Sequence, residues 1–71
     1  MSESEKVYKI VHVIGTSSES IQQAVRNAIE RANKTLRNLD WFEVKEIRGS
    51  VNKDGKPLFQ VEVRIGFRLE D

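Results

Sequence analysis

From Phe59 onward the chain alternates without interruption. Phe59, Val61, Val63, Ile65, Phe67 and Leu69 fall on one parity, and Gln60, Glu62, Arg64, Arg68 and Glu70 fall on the other. Successive side chains of a strand point to opposite faces, so this stretch predicts a strand with one apolar face to bury and one polar face left over. Pro57 opens it, where the missing N–H does least harm. Just before it, Asn52, Lys53, Asp54 and Gly55 supply hairpin chemistry, because Asp-Gly adopts the positive φ of a tight turn. A strand so placed needs an antiparallel neighbour and an apolar cover.

The preceding segments provide both. Leu39 to Val51 reads as the neighbouring strand, with a change of parity midway. Phe42 and Val44 are predicted on one face and Ile47 and Val51 on the other, with a bend or β-bulge near Lys45 or Glu46. Val7, Tyr8, Ile10, Val11, Val13 and Ile14 form an earlier β-branched and aromatic run that ends at Gly15. Both of its faces are largely apolar, which predicts cover on one side and a partner on the other. Between these strands Ile21, Ala24, Val25, Ala28, Ile29, Ala32 and Leu36 make one helical stripe, entered through a capping box from Thr16 to Glu19 with Ser17 as a competing cap. Gly15 reads as the strand-to-helix turn. The order is β-α-β-β, an α+β fold. A helical return makes the first two strands run the same way, and the hairpin reverses the third, which is predicted to lie between them in order 1-3-2.

Size sharpens the expectation. The chain of 71 residues forms one domain, 1–71, with residues 1–5 as a frayed, disordered tail. A domain this short buries only about 60% of the surface its unfolded chain exposes. With no cysteine and a single histidine, neither disulfides nor a histidine-based metal can staple it, and self-association remains. Lys and Arg number 12 against 11 Asp and Glu, so no strong field points to nucleic acid or an anionic membrane. The apolar runs are far shorter than the roughly 20 residues a membrane helix requires. The first residues lack the basic and apolar regions of a secretory signal, and a cytoplasmic protein is expected.

Catalytic chemistry finds little purchase. His12 is the sole imidazole, and it stands at an alternating strand position where a packed or surface role suffices. The carboxylates of Glu43, Glu46, Glu62 and Glu70 show no metal-ligand spacing, and Gly15, Gly49, Gly55 and Gly66 begin no phosphate-binding motif. Gly66 interrupts a strong strand, which marks a bulge or a place where another group comes close. Trp41, the only indole, opens an edge strand. It reads either as a core or interface anchor or as a stacking platform for a planar ligand. Gln60 is either an ordinary surface amide or a partner for a flat heterocycle with alternating carbonyl and N–H groups, since an amide offers acceptor and donors together.

Three segments, KVYKIVHVIGTS, LDWFEVKEIRG and FQVEVRIGFRLED, taken with their order and spacing, resemble the dodecin family over nearly the whole chain. The resemblance implies a hollow homododecamer whose subunit is a three-stranded antiparallel sheet curled around one helix. It also implies flavins stacked in pairs between symmetry-related copies of Trp41, with Gln60 hydrogen-bonding the edge of the ring system. Arg48 matches a family arginine and is assigned either to the phosphate or ribityl end of the ligand or to an inter-subunit ion pair with Glu43, Glu46 or Glu62. Glu46 stands where members preferring riboflavin carry an acidic residue, whereas Arg48 favours FMN. Arg68 matches another arginine, with an oligomer-stabilising salt bridge as its expected role.

The implied function is flavin storage and photoprotective quenching without catalysis. The alternative is a structural or interaction oligomer that binds another cofactor such as coenzyme A, with Trp41 as an anchor. An enzyme acting on flavin fits least, because two indoles would cover both faces of the ring.

Overall fold

A computed structural model describes residues 5–70; of the expected frayed tail, residues 1–4 lie outside the described residues. The elements run in the order β1 (Tyr8–Ser17), α1 (Ile21–Ala32), β2 (Leu39–Val51) and β3 (Pro57–Arg68). They form one three-stranded sheet in the order β1-β3-β2, with both neighbours antiparallel to β3. Among the described residues no helix is long and apolar enough to cross a membrane.

The central strand does what its alternation demands. Val61, Val63 and Ile65 are buried beneath Ala24, Ala28 and Ala32 of α1, and Val11, Val13, Ile21, Val25 and Ile29 pack around them. Three alanines at four-residue spacing let the helix approach closely. Gly15 completes that approach, since a Cβ there would lie 1.9 Å from the carbonyl oxygen of Ala24. This corrects its reading as a turn. β1 continues through Gly15 to Ser17, which pairs with Phe59.

The entry to the helix also differs from expectation. Thr16 and Ser17 are held in the β ladder opposite Gln60 and Phe59, so neither can cap a helix. Ser20 is the N-cap, its Oγ accepting from the Gln23 N–H at 3.0 Å. Ser17 Oγ accepts instead from the N–H groups of Glu19 and Ser20, at 2.9 and 3.4 Å, and turns the chain toward that cap. The far end stops earlier than the stripe suggests. The helix ends at Ala32, and Leu36 reaches the core from the following turn.

On β2 the expected bulge is present at Lys45, between the pairs Val44 with Val63 and Glu46 with Glu62. Its effect is the reverse of the one expected. Directly paired residues share a face, and Phe42, Val44, Ile47 and Val51 all pair with the odd-numbered, helix-side residues of β3. The extra residue therefore absorbs the parity change and keeps the four on one face. A second irregularity at Asp40 puts Leu39 opposite Phe67 and Trp41 opposite Gly66, so these two point to opposite faces despite their spacing. The hairpin closes through Asn52, whose Oδ1 accepts from the Asp54 and Lys56 N–H groups, with Gly55 at φ 79°.

Candidate functional site

The register orders the face of the sheet turned away from the helix into rows. From one end they run Tyr8 and Arg68; Ile10, Gly66 and Trp41; His12, Arg64 and Glu43; Ile14, Glu62 and Glu46; and Thr16, Gln60 and Arg48. All four residues singled out in the sequence, Trp41, Gln60, Arg48 and Glu46, stand on this uncovered face. The Lys45 bulge is the cause for two of them, because without it Glu46 and Arg48 would turn to the helix side.

Trp41 lies across Gly66. A Cβ built at Gly66 would be 2.2 Å from indole Cε2, 2.4 Å from Cζ2 and 2.6 Å from Nε1. An approach to the ring edge would meet Nε1 or Cζ2 first. Because the ring-fusion carbon is nearest, the indole rests face-down on the main chain of β3. Its other face points outward, and Trp41 is 40% exposed. The Asp40 bulge that turns the indole to this side is tied across the sheet, since the Tyr8 phenol donates to Asp40 Oδ2 at 2.9 Å. That bond raises the Tyr8 pKa above its ordinary 10.0, helped by lost hydration and the Asp40 charge and opposed by Arg68. A glycine interrupting a strong strand is the sequence signal for this close approach; the tie between Tyr8 and Asp40 has no local signal.

At the other end, Arg48 Nε donates to Gln60 Oε1 at 3.3 Å and its Nη1 to Glu46 Oε1 at 2.8 Å. Glu62 is shared, with Oε1 3.7 Å from Arg48 Nη1 and Oε2 3.3 Å from His12 Nδ1. Arg64 pairs with Glu43 between the two ends. The ion pairs of Arg48 lie within one chain rather than between subunits as expected, because the bulge sets Glu46 and Arg48 on the same face beside Glu62. Sequence reasoning names Glu62 among the candidate partners of Arg48 but misses its contact with His12, although their shared face is evident once the register is known.

Gln60 and Gly66 are about 20 Å apart along β3, at about 3.3 Å per residue. One chain thus presents an aromatic platform and a polar cluster on the same face without bringing them together. Any flat ligand touching both must do so across two copies.

Fold and face together define a class of small β-α-β-β proteins that roof one side of a three-stranded sheet and leave the other open. The sequence model of the Dodecin family matches residues 7–70. The dodecin of Thermus thermophilus is 54% identical over 66 residues, spanning 93% of this chain and 96% of that protein. The structure of dodecin from Streptomyces coelicolor is similar at 47% identity and a TM-score of 0.89, covering 96% of this chain and 97% of that one. A calcium dodecin of Mycobacterium tuberculosis, solved with a calcium-binding site, is more distant at 30% identity and a TM-score of 0.82, over 90% and 91% of the two chains. The chain belongs to the dodecin family.

Proposed function

We propose that this protein binds flavin, FMN in preference to riboflavin, as a cytoplasmic store that catalyses no reaction, and that it does so as a dodecameric shell. The observation that carries the reading is the indole of Trp41, laid face-down on bare backbone with its outer face free. A flat tricyclic ring gains dispersion and quadrupolar attraction on such a face. Two copies related by a two-fold axis would offer a pair of these platforms, and Gln60 and Arg48 of one copy would reach the ring that Trp41 of another holds. Gln60 would meet the ring edge as both donor and acceptor. Arg48 would exchange its contact with Glu46 for the ligand's phosphate, a substitution that guanidinium geometry favours.

When bound, the flavin supplies an excited state that a contacting indole, a good electron donor, can quench. The chain's own part is to hold the ring, cover it and satisfy its polar edge. Among the described residues no group of three or more His, Cys, Asp or Glu is placed to hold a metal ion.

Fluorescence titration of FMN and of riboflavin with the purified protein tests the reading. Native protein should quench FMN emission, Trp41→Ala should abolish the quenching, and Gln60→Ala should weaken binding by about 1 to 3 kcal/mol as a polar edge loses its partner. Equal quenching by native protein and Trp41→Ala would overturn the stacking role.

A further inference from the structure

We propose that Gly66 is the specificity-determining residue of the stacking site, because it sets the height at which Trp41 lies above the sheet. The proposal rests on the flavin reading for its ligand, but the geometry is independent of it. Glycine inside a central strand weakens that strand and offers nothing to pack. Here it stands two residues before the end of the central strand, paired with Ile10 on one side and Trp41 on the other. The hairpin turn demands a positive φ of Gly55, whereas no such demand applies at Gly66. What the position does require is the absence of a side chain, since a Cβ would stand 2.2 Å from indole Cε2.

Relaxed carbon contacts lie at about 3.5 to 4.0 Å, so even alanine would lift the ring by roughly 1.5 Å. Where two copies face each other the lift is doubled to roughly 3 Å, close to the ~3.5 Å occupied by one aromatic layer. A slot that admits two stacked rings would lose room for one. Gly66 thereby sets how many flat rings fit, while the Asp40 bulge, tied by Tyr8, sets which side of the sheet the indole is on. Gly66 is a positioning residue, acting through Trp41.

The test is a cycle of Gly66→Ala in the native and Trp41→Ala backgrounds, read by FMN titration, tryptophan emission and thermal unfolding. In the native background Gly66→Ala should weaken FMN binding at least tenfold, shift the emission of the single tryptophan to longer wavelength and lower the unfolding midpoint. In the Trp41→Ala background the same change should leave the midpoint unchanged or raise it, because the space above residue 66 is then vacant and alanine suits a strand better than glycine. Unchanged emission with native FMN affinity would overturn the proposal. So would an equal fall in midpoint in both backgrounds, which would make Gly66 a matter of backbone alone. If Gly66→Ala fails to fold, recovery of folding by Trp41→Ala supports the proposal and failure in both backgrounds overturns it. Absence of FMN binding by the native protein defeats the flavin reading, and the emission and unfolding arms still decide the role of Gly66.

Discussion

Two carboxylates on the open face determine how their neighbours behave. Glu62 divides its oxygens between His12 and Arg48, and Asp40 accepts from the phenol of Tyr8. The second pair makes a direct prediction, because Tyr8 is the only tyrosine and its ultraviolet titration is unambiguous. The fold favours the protonated phenol, so the stabilisation is complete below about pH 10 and disappears as the pH climbs through the higher folded-state value. The phenol should titrate above its free value in native protein and return to it in Asp40→Ala; identical midpoints would show that the bond is not formed in solution. At this scale residue type alone singles out Trp41 and Gln60, whereas Arg48 and Glu46 enter through the resemblance to the dodecin family; the register sets all four on one face. Sequence reasoning does not reach the Tyr8 to Asp40 tie or the sharing of Glu62, which depend on which strands become neighbours and in what register.

The bulges turn a simple hairpin into one with two differently used faces. Each inserts one residue and exchanges the faces of the residues after it, so Lys45 returns Ile47 and Val51 to the side of Phe42 and Val44. The parity change is visible in the sequence, whereas its sense is not, because a bulge and a change of buried face leave the same pattern in one strand. Pairing with β3 distinguishes them. The helix entry has a similar ambiguity, since Thr16, Ser17 and Ser20 are all chemically able to cap. Ladder pairing of the first two leaves Ser20. Ser20→Ala should therefore destabilise the protein by about 1 kcal/mol in denaturant unfolding, while Thr16→Ala should cost less than half as much. Equal losses would return the cap to the earlier position.

The described residues are long and thin as a body, measuring 57 × 20 × 14 Å with a radius of gyration of 14.9 Å. A compact domain of this length would have a radius near ~11 Å. The difference comes from α1 lying on β1 and β3 while the hairpin runs on beyond its cover. Phe42, Val44, Ile47 and Val51 remain 50, 42, 54 and 72% exposed on the helix side of β2. In the proposed shell, other copies would bury this stripe, at roughly 1 kcal/mol for each half-exposed side chain. Mass measurement at micromolar concentration should find a large assembly for native protein and a much smaller species for Ile47→Asp. A native monomer would count against the shell. Length and the missing cysteines lead only to an expectation of partners, whereas the surface left open for them depends on how far one helix reaches and is not legible in the sequence. The uncovered strand also has a consequence during synthesis. If the proposed shell forms, a newly made chain would carry a greasy, unsheltered ribbon until its siblings arrived, and the interval in which proteases or chance adhesion could claim it would shorten as the cell made more copies.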